Sequence, residues 1–273
     1  MPRSLPPEIL DLIIDNLRKE PATLKACCVT SKLWIPRARR HLFTRIAFDT
    51  RRPPFESWMK TFPDPSDSPA HHVRILVMVL DTPLPTTADL WICAFHNVVS
   101  LQVESTSYVP VPLAFVPFHG LSPSLRSLHL GSKSSPPLSD AINLLCSFPL
   151  LEDISIHGFR HYEWDRWTVP PTSPRLTGSL KLYNIEGGLW AAAPLFLELP
   201  NGLHFTKIKL EFFHEAEFEP VADLVSECSA TLESLDVADS SQGAFPSARV
   251  PDLSLTATLR AATINDFNRP FPK

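Results

Sequence analysis

Glycine is scarce: the chain of 273 residues holds only 8. A phosphate-cradling loop needs closely spaced glycines followed by lysine and serine or threonine, and the pair Gly187 and Gly188 lacks those followers. Nucleotide binding is therefore not expected. Cysteine is also sparse, at 5 residues. An odd, scattered set among apolar neighbours implies reduced core thiols in a reducing compartment, with no disulfide framework. The expected location is cytoplasmic and/or nuclear. No apolar run approaches the roughly 20 residues of a membrane helix; the longest are Ile75 to Leu80 and the proline-interrupted Leu189 to Leu197. The amino terminus mixes acids with apolar residues and does not read as a secretory signal. Nor is there an excess of either charge: 25 Lys and Arg face 29 Asp and Glu, for a net charge of -4. A nucleic-acid partner has no electrostatic support from this balance.

Signatures of catalysis are equally thin. Neither a G-x-S-x-G elbow nor an H-E-x-x-H helix occurs. Cys93 and His96 have a spacing that would set two metal ligands on a helix, but no second pair completes a site. His157, His161, Glu163 and Asp165 would form an acid/base cluster only if a strand and the loop after it converged. The chain is thus read as a non-enzyme, without cofactor or metal.

What the sequence has in plenty is proline, 29 residues, which favours short elements joined by stiff turns. At the amino terminus Ile9, Leu10, Ile13, Ile14 and Leu17 recur at helical spacing, with Pro6 and Pro7 in a first turn and Glu8 where the helix dipole favours an acid. Thr23 is placed to cap a second helix through Leu24, Cys27 and Cys28. Ser31 leads into a third, from Trp34 to Leu42, with Pro36 in its first turn. Three helices in about 40 residues enclose little core, so another body must cover what they leave exposed. Arg37, Arg39, Arg40 and His41, followed by Arg45, Arg51 and Arg52, read as a solvated basic face or as a surface for an acidic partner.

These residues carry a resemblance. LPPEIL at Leu5 to Leu10, then Ile13, Ile14, Leu17 and Leu24, then CVTS at Cys28 to Ser31 and Trp34, resembles the F-box, with its LPxEIL opening and V-S-x-x-W close. The likeness covers about residues 4–45; Thr30 before the serine and Pro36 within the third helix depart from the pattern. It implies packing on a Skp-type adaptor that docks on a cullin scaffold, with Leu5, Pro6, Ile9, Leu10, Ile13, Leu24, Val29 and Trp34 as adaptor contacts. The composition also looks like that of divergent F-box proteins of fungi.

Beyond residue 70 one pattern returns eight times: apolar, two variable, apolar, one variable, apolar. Its central positions are Leu76, Leu101, Leu128, Ile154, Leu180, Ile208, Leu235 and Ala262, separated by 25, 27, 26, 26, 28, 27 and 27 residues. Ile46 fits as a further copy 30 residues ahead of Leu76. The spacing lies in the leucine-rich-repeat range of roughly 20–29 residues, where each unit supplies one short strand and a return segment and cannot bury its inner face alone. Asp140 to Phe148 and Glu219 to Cys228 read as return helices, Tyr108 to Pro117 and Pro170 to Pro174 as irregular loops. The region resembles the leucine-rich-repeat solenoids that often follow an F-box, although the asparagine or cysteine expected after each strand is absent.

The expected architecture is therefore α/β: a three-helix F-box over residues 1–45, then an irregular leucine-rich-repeat solenoid with a curved parallel sheet over residues 46–273, its end at Lys273 read as either an open edge or a truncation. Residues flanking the inward positions would line its concave face. The densest functional groups there are Asp153, His157, Lys181, Tyr183, Lys207 and Lys209, the candidate contacts for a target protein. The loop Arg160 to Trp167 is a second candidate surface, or else a cover for the neighbouring unit. The function implied is a substrate-recognition subunit of an SCF-type ubiquitin ligase. The alternative is a repeat protein that binds partners without a ligase role.

Overall fold

The computed structural model describes residues 6–50, 54–82, 84–85, 87–106, 116–160, 167–170, 173–185, 188–212, 218–239 and 261–264. Three helices come first. Helix α1 (Pro7–Asn16) starts with Pro7 in its first turn, where the missing N–H costs nothing. Helix α2 (Pro21–Thr30) begins two residues before the expected cap: Pro21 opens it, and the Thr23 hydroxyl donates to Glu20 Oε2 at 3.0 Å. Helix α3 (Ile35–Leu42) carries Pro36 in its first turn and Arg39, Arg40 and His41 in its last, where cations oppose the dipole. Ile14, Leu24, Cys27 and Ala38 close a small core among the three.

Nine strands follow among the described residues: β1 (Arg45–Asp49), β2 (Ile75–Leu80), β3 (Ser100–Ser105), β4 (Ser127–Ser132), β5 (Asp153–His157), β6 (Leu176–Tyr183), β7 (Leu203–Phe212), β8 (Ser234–Asp239) and β9 (Ala261–Ile264). They form one sheet in chain order, every neighbouring pair parallel. The register matches the sequence period: Ile46, Leu76, Leu101, Leu128, Ile154, Leu180, Ile208, Leu235 and Ala262 stand side by side. Two residues on, Met78, Val103, Leu130, Ile156, Leu182 and Leu210 make a second buried row. Successive strand side chains alternate faces, so both rows lie on one side.

Helices cover that side. Between strands lie α4 (Pro54–Thr61), α5 (Ala88–Cys93), α6 (Val116–His119), α7 (Leu138–Leu145), α8 (Leu189–Leu197) and α9 (Phe218–Glu227). Helix α7 buries Leu138, Ala141, Ile142, Leu144 and Leu145; each large side chain so buried contributes on the order of 2 kcal/mol. The expected return helices at 140–148 and 219–228 are present as α7 and α9. The apolar stretch Leu189 to Leu197 is also helical, despite Pro194 in its interior. Burial of Ala192, Ala193, Leu195 and Phe196 outweighs a proline cost of about 3 kcal/mol. Most of the expected loop at 108–117 lies outside the described residues, as do 171 and 172. Cysteine expectations hold for Cys27 and Cys228, which are buried, but Cys93 is exposed at the end of α5. His96 lies beyond that helix.

A side-chain ladder ties the units together, its donors standing just ahead of a strand or, for Thr206, inside one. Asn97 Nδ2 donates to the His71 carbonyl at 2.8 Å, Ser122 Oγ to His96 at 2.7 Å, Thr206 Oγ1 to Gly178 at 3.1 Å and Thr231 Oγ1 to Phe205 at 3.1 Å. Asn201 donates likewise to the Ser173 carbonyl. Each bond reaches back one unit, 26 or 28 residues, to a carbonyl ahead of a strand at His71, His96 and Ser173 and to one inside a strand at Gly178 and Phe205. In place of an asparagine after the strand, four of these five polar residues stand ahead of one. At two places the backbone demands glycine. Gly158 has φ 71° and Gly178 φ 79°, and a Cβ would lie 1.8 Å from the Ser132 carbonyl oxygen and 2.0 Å from that of Glu152. Gly178 also marks a register shift between β6 and β7.

Asn97→Ala and Ser122→Ala should each lower stability by about 1 kcal/mol in urea denaturation, because each leaves a carbonyl without its donor. Gly158→Ala should cost more than either, since it adds a backbone collision to a left-handed φ. An unchanged urea midpoint in Asn97→Ala would show that the ladder carries no stability.

Candidate functional site

Two surfaces gather the residues singled out from sequence. The first is on the helices. Helix α1 has two apolar faces: Leu10, Ile14 and Leu17 recur at helical spacing on one side, while Ile9, Leu12 and Ile13 lie on the other. Ile14 is buried, and Leu17 packs against it. The other side remains open: Ile9 is 44%, Leu12 59% and Ile13 46% exposed, and Val29 and Leu33 are 87% and 79% exposed. Pro6 is exposed, Leu10 and Trp34 are half-buried, and Leu5 lies outside the described residues. Leu24, at 1% exposure, closes the small helical core, so its side chain supports this face from beneath. Leu12 and Leu33 were missed. Leu12 follows Ile9 by three residues, so helical spacing alone would have found it.

An ionic clamp holds the helices in place. Arg37 grips Asp15 through Nε at 2.6 Å and through Nη2, and His41 Nε2 lies 2.7 Å from Asp15 Oδ1. Asp11 lies further out, 4.0 Å from Arg37. Hydrogen bonds from Arg37 and His41 hold the Asp15 carboxyl well below the usual carboxylate range, and the same contact raises Arg37. Two members of the basic run are therefore spent inside the chain, correcting their reading as a solvated face. The four-residue step from Arg37 to His41 put both on one side of α3, yet nothing in the sequence named Asp15 as their partner.

The second surface is the open side of the sheet. Three rows cross it. One holds Ser100, Ser127, Asp153, Ser179, Lys207 and Ser234; the next Gln102, His129, Ser155, Lys181, Lys209 and Asp236; the third Glu104, Gly131, His157, Tyr183 and Glu211. All six candidate residues are brought together on this face. They act in pairs. Lys181 Nζ binds Asp153 Oδ1 at 3.0 Å, and Lys209 Nζ lies 2.8 Å from Asp236 Oδ2. The bond to Asp236 raises the Lys209 pKa. Lys207 is exposed. His157 and Tyr183 are register partners.

Toward the early strands the face carries one carboxylate on β3, Glu104, and turns apolar at Ile75, Val77 and Val79 of β2. Gln102 Nε2 donates to Glu104 Oε1 at 2.6 Å, and His129 Nε2 stands 3.8 Å from the same oxygen. Burial lowers the His129 pKa; Glu104 opposes that, while His157 and Lys181 add to it. Gly131 leaves a gap here, since a Cβ at that position would lie 3.9 Å from both His129 Nε2 and His157 Nδ1. Among the described residues no cluster of His, Cys, Asp and Glu is built to hold a metal. His161, Glu163, Trp164 and Asp165 lie outside the described residues. Trp167, from the same insertion, packs against the core and donates to Asn143 Oδ1 at 3.2 Å, so this tryptophan covers its neighbour. The face is suited to hydrogen-bonded and ionic contact with another macromolecule along its length.

No helix among the described residues is long and apolar enough to cross a membrane. The chain matches no protein-family model, no curated protein and no solved structure.

The clamp has a pH signature. A carboxyl depressed in the folded state stabilises fully above its ordinary pKa near 4, and that stability is lost as pH falls toward the depressed value. Arg37 and Asp15 are 30% and 35% exposed, so solvent screens the pair, and Asp15→Asn should cost about 1 kcal/mol at pH 7. The variant should also lose less stability than the parent between pH 5 and pH 2, read by circular dichroism melting at each pH. Parallel acid limbs in the two proteins would rule the clamp out as their source.

Proposed function

We propose that the chain is a substrate-recognition subunit of an SCF-type (cullin-RING) ubiquitin ligase. In this reading the first 45 or so residues are an F-box that seats on a Skp-type adaptor, itself bound to a cullin scaffold. Residues from about 46 onward are a curved leucine-rich-repeat solenoid that holds a target protein. The observation that carries it is the uncovered apolar side of α1, Ile9, Leu12 and Ile13, with Val29 and Leu33 also exposed on the same helical unit. Single exposed apolar residues are ordinary; five on one short helical unit that has already closed its own core are not, and such patches mark protein contacts.

The target would lie along the open sheet face, against Asp153, His157, Lys181, Tyr183, Lys207 and Lys209. Nothing on that face calls for bond chemistry, and the contribution to rate would be proximity: a target lysine held near a conjugating enzyme elsewhere in the assembly. Such a complex works in the cytoplasm or nucleus.

Mixing the full chain with a purified Skp-type adaptor tests the first half. A stable complex is expected by size-exclusion chromatography, weakened at least tenfold by Ile9→Asp with Ile13→Asp and left intact by Lys181→Ala with Lys207→Ala. Failure of the parent chain to bind the adaptor would remove the ligase reading and leave that of a protein-binding repeat without it.

A further inference from the structure

The first strand ends the sheet, and its free edge is self-complementary. Strand β1 reads Arg45, Ile46, Ala47, Phe48, Asp49: a cation, an apolar residue, the smallest side chain, an apolar residue, an acid. It has β2 on one side and, among the described residues, no strand on the other. Thr44 C=O accepts from Ile75, and Thr50 N–H donates to Val79. Because backbone direction alternates along a strand, Thr44, Ile46, Phe48 and Thr50 turn both their groups toward β2. Arg45, Ala47 and Asp49 turn theirs toward the free edge.

The end of the stack is also unfinished. The central inward residue is at most 1% exposed at Leu76, Leu101, Leu128, Ile154, Leu180 and Ile208. Ile46, in the same row, is only partly buried. A cleft of about 420 Å3 opens there, lined by consecutive residues Arg45 to Phe48 together with Phe43, Trp58 and Phe62. Since four successive strand residues from both faces line it, the cleft runs along the edge itself.

We propose that a second copy of this chain occupies this edge, with two β1 strands pairing antiparallel about a two-fold axis at Ala47. In that register Arg45 of each copy faces Asp49 of the other, Ile46 faces Phe48, and Ala47 meets Ala47 at the axis. The parity is the one hydrogen bonding requires, since Arg45, Ala47 and Asp49 all point their backbone groups outward and each exchanges two bonds with its opposite residue. Charge selects the antiparallel sense: a parallel pairing in register would set arginine on arginine and acid on acid. Asp49 also makes an interaction within its own chain, and a carboxylate with two oxygens can accept from more than one donor. Joined this way the two sheets run on as one, and the two open clefts face each other across the axis. This surface is distinct from the apolar face of α1 and α2, so the pairing stands or falls apart from any ligase role.

Sedimentation equilibrium of the full chain, from about 1 to 100 µM, reads the association directly. The expected mass rises from 30.5 kDa toward twice that value. Arg45→Asp and Asp49→Arg should each weaken association about tenfold, because each sets like charges face to face in both symmetric pairs, and the double exchange should restore it. Ala47→Pro removes an outward N–H and leaves the ladder to β2 intact, so it should abolish association with an unchanged circular dichroism spectrum. A monomer at every concentration, or a dimer indifferent to all four variants, overturns the proposal.

Discussion

No strand of this sheet can bury its own inward side chains. Each row residue between the end strands is covered on both flanks by the same position of the unit before and the unit after, and from the helix side by a return segment. Everything else in the structure depends on keeping that register. A slip of one residue would turn Leu128, Leu130 and their equivalents to the open face and bring His129 into the core. The register is kept by apolar positions two apart in each strand and by the side-chain bonds from Asn97, Ser122, Asn201, Thr206 and Thr231, each anchored one unit back.

Where that constraint is relaxed, the structure changes character. Unit lengths differ by a few residues, and the return segments absorb the difference: α7 and α9 are amphipathic, α8 is apolar throughout and bends its rules around Pro194, and α6 is a single turn. The strands barely register these differences, apart from the irregularity at Gly178, where a left-handed φ and the closeness of the Glu152 carbonyl leave no room for a side chain. A constant inner wall with variable outer segments is what a nearest-neighbour stack permits, since each unit must fit only the two beside it.

The helical unit and the sheet present surfaces of opposite kind. The helices leave an apolar face open while a carboxylate shared by Arg37 and His41 fixes α1 against α3. The sheet's open face is polar and internally balanced, with Lys181 held by Asp153 and Lys209 by Asp236. Salt-bridged side chains are already oriented, so a partner meeting them loses less conformational freedom than one meeting loose lysines. An apolar patch supplies affinity and a charged ladder supplies selection.

The period of the chain determined the strands, their order and which side chains face inward, because a repeat of about 26 residues with apolar positions two apart has few other ways to bury them. It also determined the three leading helices, whose proline, capping and apolar spacings are local signals. Only the tertiary structure decided the partners. Helical spacing could not say that Leu24 points in while Val29 and Leu33 point out, that Asp15 rather than solvent receives Arg37 and His41, or that Asp153 and Asp236 take up the lysines beside them. It could not place most of the ties between units ahead of a strand. Nor could it show that, among the described residues, the first strand keeps a bare edge. Periodicity encodes the face a side chain belongs to, whereas a contact depends on where another segment arrives in space, and that is settled only when the units have stacked.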